Sequence, residues 1–307
     1  MLRRLFALAV ILALAMSASA GTPHGVDAKH LITVDGRTRE YTLHVPPHSQ
    51  NPAPLVIVFH GGGGNARRMG KFSGFSELAD QNGFLAVYPQ GWKNNWNDGR
   101  EPASSRTHKE NVDDVKFIGA MLDEIGRTRV VDAKRIYAVG ISNGAFFCNY
   151  LASHMAERLA AICPISGGIA APFALKFNPR VPVSVMIIQG DEDPLVPING
   201  GIVAKKRGTM ISTAETLQKW LGSNGCSGKP ETSQLPDRDP KDGCRVEKTV
   251  WHSCRGGTEV EYLLIKGGGH TWPSRIQYLP QFMVGRVCRD IDSPDIWEFF
   301  LTHPRKQ

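Results

Sequence analysis

The stretch Ile136-Tyr-Ala-Val-Gly140-Ile-Ser142-Asn-Gly144 decides the fold predicted for this chain. Its first residues form an apolar run typical of a buried strand, and the residues after Gly144 have the apolar content of a helix. The Gly-x-Ser-x-Gly pattern between them places a serine on a sharp, strained turn at the strand's carboxyl end. Ser142 is therefore the predicted nucleophile, and a purely structural turn is the alternative.

Similar apolar runs alternate with amphipathic helical patterns along the chain. Buried strands are predicted at 55–59, 84–88, 160–165, 183–188 and 260–265, an exposed strand at 39–46, and helices at 112–125, 145–155, 212–221 and 293–301. This alternation predicts an α/β fold, a mostly parallel sheet flanked by helices, in which ligands bind at the carboxyl ends of the strands. No repeat or long linker divides the chain, so we expect a single domain over 21–307. The irregular segment 226–254 is expected to be an insertion or an edge hairpin.

Residues 1–20 have the pattern of a secretory signal peptide. Two arginines precede the apolar run Leu5 to Met16, which is too short to span a bilayer, and Ser17 to Ala20 fit a small-residue cleavage site. A buried N-terminal helix is the alternative interpretation. We therefore expect a secreted protein, extracellular or periplasmic, with no membrane span in its mature chain.

Composition excludes several classes of protein. With 41% hydrophobic and 21% charged residues, the 307-residue chain is neither disordered nor collagen-like nor a coiled coil. The formal charge of +7 falls to +5 without Arg3 and Arg4 of the leader. The remaining basic residues are dispersed, and the longest run is Lys205-Lys206-Arg207. Nucleic acid is therefore not an expected partner, and no protein partner can be inferred.

All six cysteines lie in the mature chain, and their even number in an exported protein suggests disulfides without fixing their connectivity. They are Cys148, Cys163, Cys226, Cys244, Cys254 and Cys288. There is no C-x-x-C pair and no cysteine–histidine cluster with metal-ligand spacing, so we expect no metal and no cofactor. Cys148 and Cys163 have apolar neighbours, which also fits buried free thiols.

A nucleophilic serine needs a base and an acid, in the chain order serine, acid, histidine for this turn. Among the later histidines, His252 lies in an alternating strand pattern and His303 follows the last helix. His270 follows an apolar strand and three glycines, so it is the predicted base. The acid should follow the strand at 183–188, where Asp191 and Asp193 are both possible by position. Asp193 is preferred, because Asp191 has the place of a turn-capping aspartate.

An acyl-transfer site also needs N–H donors for the oxyanion. One is predicted at Asn143, which follows the nucleophile, and the other in the loop His60-Gly-Gly-Gly-Gly64 after the strand at 55–59. A phosphate-binding loop is the competing interpretation of these glycines. It is disfavoured because no Gly-Lys-Ser/Thr follows them.

Four motifs together resemble the secreted polyhydroxybutyrate depolymerase and feruloyl/acetylxylan esterase family of α/β-hydrolases. They are Gly140-Ile-Ser-Asn-Gly, His60-Gly-Gly-Gly-Gly-Asn-Ala, Gly190-Asp-Glu-Asp-Pro-Leu-Val-Pro and Gly267-Gly-Gly-His-Thr-Trp-Pro. The resemblance implies the α/β-hydrolase fold, Asp193 as the acid, His270 as the base and Gly62 as the first oxyanion donor. It also implies a disulfide between Cys226 and Cys254, which leaves Cys244 and Cys288 as departures that could pair with each other.

The expected function is that of a secreted serine carboxylic-ester hydrolase acting through an acyl-enzyme on feruloyl or acetyl esters of plant polysaccharide, or on related small esters. Hydrolysis of hydroxybutyrate polymers or oligomers is the alternative; a peptidase and a non-catalytic polysaccharide-binding protein are further ones. Trp92, Trp96 and Trp272 lie on predicted loops near the catalytic edge, so they are expected to line the substrate site, with anchoring in the core as the alternative.

Overall fold

The computed structural model describes residues 24–101, 105–273, 276–277 and 279–306, so the predicted signal peptide lies outside the described residues. The strands are β1 (Val26–Val34), β2 (Arg37–Val45), β3 (Ala53–Phe59), β4 (Leu85–Pro89), β5 (Val131–Ile141), β6 (Ala161–Ile165), β7 (Ser184–Gly190), β8 (Gly201–Ile202), β9 (Thr209–Met210), β10 (Glu231–Gln234), β11 (Arg245–Trp251) and β12 (Val260–Lys266). The helices are α1 (Ala66–Ser73), α2 (Phe75–Asn82), α3 (Arg106–Lys109), α4 (Asp114–Thr128), α5 (Asn143–Met155), α6 (Thr213–Asn224), α7 (Gln281–Val284) and α8 (Ser293–Thr302).

In the described part of the chain, ten strands form one sheet in the order β1-β2-β4-β3-β5-β6-β7-β12-β11-β10. The central strands, from β4 to β12 in that order, pair in parallel, whereas both edges are antiparallel hairpins. This arrangement confirms the predicted mostly parallel sheet. The irregular segment 226–254 contains the edge hairpin β10–β11.

The hydrophobic core lies on both faces of this sheet. Along β3, Leu55, Ile57 and Phe59 join one cluster, and Val56 and Val58 join the other. Helices α4, α5 and α6 contribute to the first cluster, and helices α1, α2 and α8 to the second. Every residue of β3 is therefore buried, which explains why its sequence is continuously apolar rather than alternating.

Local signals fix where the long helices begin. Asp113 caps α4 by accepting a hydrogen bond from the N–H of Lys116, and Ser212 and Glu215 form a capping box at the start of α6. Asp292 caps α8 in the same way. These helices cover the strands that carry the site described below.

The sequence patterns do not predict β1, the short helices α1, α2, α3 and α7, or the small hairpin β8–β9. Strand β1 lies at a sheet edge and keeps most of its side chains partly or fully exposed, so its apolar pattern is weak. Helices α1 and α2 have eight residues each and are separated by Gly74, which adopts a left-handed conformation. No helix among the described residues is long and apolar enough to cross a membrane.

Candidate active site

Ser142 lies between β5 and α5 with a φ of 57° and a ψ of −122°, which is a strained backbone for a residue other than glycine. The turn is possible because Gly140 and Gly144 lack side chains. A β-carbon on Gly140 would come within 2.7 Å of the backbone of Gly144, and one on Gly144 within 2.7 Å of the carbonyl oxygen of Phe59. The Ser142 N–H donates to the carbonyl of Ile165 on β6 at 2.9 Å, which anchors the turn to the sheet.

His270 and Asp193 are paired through their side chains. His270 Nδ1 lies 2.8 Å from Asp193 Oδ2, and both side chains are buried. The other carboxylate oxygen accepts hydrogen bonds from the N–H groups of Leu195 and Val196, each at 2.8 Å. Because the carboxylate can only accept, His270 donates to it from Nδ1, and Nε2 is the ring nitrogen on the opposite side. The imidazole is thus oriented as a general base requires.

The loop that carries His270 is held by the segment beside α7. The His270 N–H donates to the carbonyl of Val284 at 2.5 Å, and the Gly269 N–H donates to that of Arg286 at 2.9 Å. A β-carbon on Gly269 would lie 2.1 Å from the Val284 oxygen. The glycines before His270 therefore permit a close backbone approach that fixes the ring's position.

The other candidates for acid and base have different partners. Asp191 Oδ1 accepts a hydrogen bond from the N–H of Gly267 at 2.7 Å, so this aspartate joins two loops and leaves His270 to Asp193. His252 contacts Glu259, and His303 lies 2.7 Å from the carbonyl of Phe299. Neither of these two histidines lines the cavity that contains Ser142.

Two backbone N–H groups close to Ser142 have no hydrogen-bond acceptor among the described residues. Asn143 is the first residue of α5, so its N–H has no acceptor within the helix. The N–H of Gly62 has no hydrogen-bond partner among the described residues. By contrast, the Gly63 N–H donates to the carbonyl of Asn94, and the Gly64 N–H donates to that of Gly61 within the loop. A β-carbon on Gly62 would lie 3.5 Å from that of Asn143, so the two donors are close neighbours. An oxyanion hole needs two such N–H donors beside the nucleophile.

A buried polar network beneath this turn was not predicted from the sequence. The Asn143 side chain accepts from the Trp96 N–H at 2.8 Å and donates to the Trp96 carbonyl at 3.0 Å and to Asp98 at 2.6 Å. Asp98 also contacts Arg100 at 2.7 Å and His108 at 2.9 Å. Burial alone would raise the pKa of Asp98, but the cation of Arg100 and the hydrogen bond from His108 outweigh it and lower that pKa to about 2. The network fixes the start of α5.

His60 supports the glycine loop as a neutral residue. Its Nδ1 donates to the carbonyl of Gly61 at 2.8 Å, and its Nε2 accepts from the N–H of Gly91 at 3.0 Å. Burial lowers the pKa of His60 to about 4, against the smaller raising effect of the Gly61 hydrogen bond. The ring is therefore neutral at pH 7, as its acceptor role requires.

A cavity of about 590 Å³ opens over Ser142 and contains His270, Gly62 and Asn143 in its wall. Much of the remaining wall is apolar and comes from α1, the β7–β8 loop, the β8–β9 turn and the α7 region. These side chains include Met69, Phe72, Leu195, Val203, Leu279 and Val284. The volume lies in the range of small-molecule sites, and the mainly apolar wall suits the carbon skeleton of an ester.

The expectation that three tryptophans line this cavity is corrected by the structure. Trp96 and Trp272 are fully buried. The indole N–H of Trp96 donates to the His60 carbonyl at 2.9 Å, and that of Trp272 donates to the Ser293 hydroxyl at 3.1 Å. Trp92 donates to Glu110 at 2.9 Å and does not line the cavity either. Large aromatic rings are drawn to the core when a partner for the N–H is present, so anchoring outweighs ligand contact here.

The cysteines divide into one disulfide and four free thiols. Cys226 and Cys254 form the disulfide that the family resemblance implies. Cys244 and Cys288 lie together as buried free thiols, and their donor sulfurs lie within 4.8 Å of each other and of an oxygen of Asp242. The Asp242 carboxylate already accepts from the N–H groups of Cys244 and Arg289, each at 2.7 Å. Cys148 and Cys163 are the other free thiols, and burial raises the pKa of both.

The fold and the site geometry define a class that comparison with known proteins makes explicit. The chain is an α/β-hydrolase of the esterase type, as the sequence motifs predict. It belongs to the family described as "Esterase PHB depolymerase", whose model matches residues 39–210, a range that includes Ser142 and Asp193.

The similar curated proteins have related descriptions. The chain is 31% identical over 285 residues to "Putative esterase NocK" of Nocardia uniformis subsp. tsuyamanensis, a match that covers 88% of this chain and 81% of that protein. It is 30% identical to "Feruloyl esterase B" of Piromyces equi, over 71% of this chain and 39% of the relative. It is 29% identical to "Poly(3-hydroxyalkanoate) depolymerase C" of Paucimonas lemoignei, over 75% of this chain and 58% of the relative. The chain thus spans less than two thirds of the latter two proteins.

Among solved structures, the acetyl xylan esterase from Aspergillus awamori superposes with a TM-score of 0.59 at 16% identity. The match covers 81% of this chain and 96% of that one. A structure described as a thermostable esterase superposes with a TM-score of 0.54 at 14% identity, over 92% of this chain and 64% of that one. At these identities the likeness shows the fold.

Proposed function

We propose that the chain is a secreted serine esterase in which Ser142 is the nucleophile, His270 the general base and Asp193 the acid that orients it. His270 Nε2 removes the Ser142 proton as the oxygen attacks the ester carbonyl. The N–H groups of Gly62 and Asn143 stabilise the oxyanion. His270 then protonates the leaving alcohol, and a water molecule repeats the sequence on the acyl-enzyme without a metal or cofactor.

One observation carries this proposal. The strained Ser142 and the imidazole of His270 lie in the wall of the same cavity, and the far side of that imidazole is 2.8 Å from Asp193. A strained backbone persists only where the surrounding structure enforces it. Here the strained turn places Ser142 in the cavity wall at the carboxyl edge of the sheet.

For the substrate, we propose feruloyl or acetyl esters of plant polysaccharide, or related small esters. The relatives described as feruloyl and acetylxylan esterases support this class. Hydroxybutyrate oligomers form the second candidate class, which is favoured by the relative described as a depolymerase and by an apolar cavity wall. A panel of methyl ferulate, acetylated xylan and hydroxybutyrate oligomers separates these substrates.

The catalytic proposal is tested with p-nitrophenyl acetate and a fluorophosphonate probe. The wild-type protein should hydrolyse the ester and be labelled covalently. Ser142→Ala should abolish both signals while its melting temperature stays near that of the wild type. Hydrolysis that survives in Ser142→Ala would contradict the assignment. Cleavage of peptides in preference to esters would favour a peptidase, and polysaccharide binding without any turnover would favour a binding protein.

Secretion is proposed from the N-terminal pattern and fits the Cys226–Cys254 disulfide, because such bonds persist in oxidising compartments. The full chain expressed in a host with a secretory pathway should be recovered outside the cytoplasm, with Gly21 as its first residue by N-terminal sequencing. A product that retains residues 1–20 would contradict the proposal.

A further inference from the structure

Charge is unevenly distributed around the cavity that contains Ser142. Among the described residues of its wall, three are arginines, namely Arg68, Arg100 and Arg207, and none is an aspartate or a glutamate. Arg100 is neutralised by Asp98, which accepts from its guanidinium at 2.7 and 2.9 Å. Within the described part of the chain, Arg68 and Arg207 have no ion-pair partner, so the cavity keeps an excess of positive charge.

The turn that carries Arg207 is anchored to the body of the protein. It connects β8 with β9 and contains the run Lys205-Lys206-Arg207, the longest basic run of the chain. The backbone N–H of Arg207 donates to the carbonyl of Val203 at 2.8 Å, and that of Ala204 donates to the carbonyl of Leu195 at 2.7 Å. Because Val203 is buried, the exposed guanidinium extends from a fixed backbone.

The guanidinium of Arg207 lies beside one of the proposed oxyanion donors. A β-carbon on Gly62 would be 3.4 Å from Arg207 Nη1. If the carbonyl oxygen of an ester accepts a hydrogen bond from the Gly62 N–H, the Arg207 guanidinium is within reach of a second group of the same substrate. That group would lie a few bonds from the carbonyl. The apolar wall formed by residues such as Leu195 and Val203 would hold the intervening carbon chain.

We propose that the site selects esters that carry a second, anionic group, a carboxylate, and that Arg207 binds it. A planar guanidinium can bind a carboxylate through two parallel hydrogen bonds, an interaction stronger than one between neutral groups. The carboxylate can belong to the acyl half or to the alcohol half of the ester, since either half can extend from the scissile bond. This inference rests on the proposed esterase function and specifies its substrate class.

The test compares each carboxylate with its neutral amide of the same shape. For the acyl half the pair is mono-p-nitrophenyl glutarate and p-nitrophenyl 4-carbamoylbutyrate; for the alcohol half it is 3-acetoxypropanoate and 3-acetoxypropanamide. We expect the wild type to favour the carboxylate in at least one pair by about tenfold in kcat/KM, mainly through a lower KM. Arg207→Gln should lower that carboxylate-to-amide ratio by about tenfold.

Arg129→Gln is the matched control, because it removes an exposed arginine that follows α4 and does not line the cavity. It should leave the ratio unchanged, and melting temperatures check that both variants fold. Equal turnover of carboxylate and amide in both pairs would overturn the inference, as would an unchanged ratio in Arg207→Gln. Hydrolysis of p-nitrophenyl acetate separates the two levels: its absence overturns the proposed function, whereas its presence without carboxylate preference overturns this inference alone.

Discussion

Two aspartates separated by one residue have different tasks at the carboxyl end of β7. Asp193 has both carboxylate oxygens engaged, one with His270 and the other with the N–H groups of Leu195 and Val196. Asp191 instead binds the N–H of Gly267, the first residue of the glycine run before His270. Asp193 therefore orients the imidazole, whereas Asp191 joins the two loops that carry Asp193 and His270.

Neutralising these carboxylates separates the two tasks. In Asp193→Asn the amide can donate to Nδ1 and stabilise the wrong tautomer of His270, so kcat for p-nitrophenyl acetate should fall by about 10³–10⁴-fold. The same change at Asp191 keeps an amide oxygen that can still accept from the Gly267 N–H, so it should reduce kcat less than tenfold. Steady-state kinetics at pH 7.5 measure both effects. A larger loss in Asp191→Asn than in Asp193→Asn would assign the acid to Asp191.

Ser142, Asp193 and His270 are the candidates that the sequence offers because each follows an apolar strand, and a parallel sheet brings such positions to one edge. The hydrogen-bond network of Asn143 and Asp98 could not be predicted from the sequence, because residues so far apart along the chain leave no periodic signal. The tryptophans were misplaced for a related reason. Position on a loop does not show whether an indole turns toward ligand or core.

At the level of elements, continuous apolar runs identified the parallel strands because these are buried on both faces. The elements that shape the cavity were harder to predict. Helix α1 contributes Met69 and Phe72 from a short, largely polar sequence, and the β8–β9 hairpin has only two residues in each strand. Their positions depend on packing against the sheet, which local pattern does not encode.

The disulfide between Cys226 and Cys254 ties the end of α6 to the end of β11 across the edge hairpin. Most side chains of β10 and β11 are partly or fully exposed, so this hairpin has little buried apolar surface of its own. The bond spans a sequence separation of 28 residues. Closing a loop of that length restricts the unfolded chain by about 3–4 kcal/mol in the chain-entropy model.

Removing this cross-link should destabilise the protein without affecting the site. The Cys226→Ser/Cys254→Ser double variant should lose about 2–4 kcal/mol of unfolding free energy in urea. Its kcat for p-nitrophenyl acetate should remain near that of the wild type, because the hairpin does not line the cavity. A reductant should destabilise the wild type and leave the double variant unchanged. Equal stability of the oxidised wild type and the double variant would contradict this prediction.

For the molecule as a whole, the burial of His60 links folding to pH. Its pKa is lowered from 6.5 to about 4 in the folded state, so the unfolded chain binds the proton more tightly. Above pH 6.5 the ring is neutral in both the folded and the unfolded chain, so it does not oppose folding. As the pH falls from 6.5 toward 4, the unfolded chain binds the proton and the folded chain does not, so stability is lost. This shift of the His60 pKa lowers the free energy of unfolding by about 3 kcal/mol between pH 7.5 and pH 4.

Urea titrations of wild type and His60→Gln at a series of pH values test this linkage. The wild type should lose about 3 kcal/mol more than the variant between pH 7.5 and pH 4, because the variant lacks the titrating ring. Other groups titrate in both proteins, so the difference between the two curves isolates His60. Parallel curves would show that its protonation does not oppose folding.

The strand order has a consequence for how activity arises during folding. Ser142 follows β5, Asp193 follows β7 and His270 follows β12, which pairs in parallel with β7 although β8 to β11 lie between them in the chain. Pairings of such large sequence separation are entropically costly and slow to form. Every intermediate without the β7–β12 pairing lacks a positioned His270. Enzyme activity regained on refolding would therefore report the formation of this long-range contact, later than any signal from helix content.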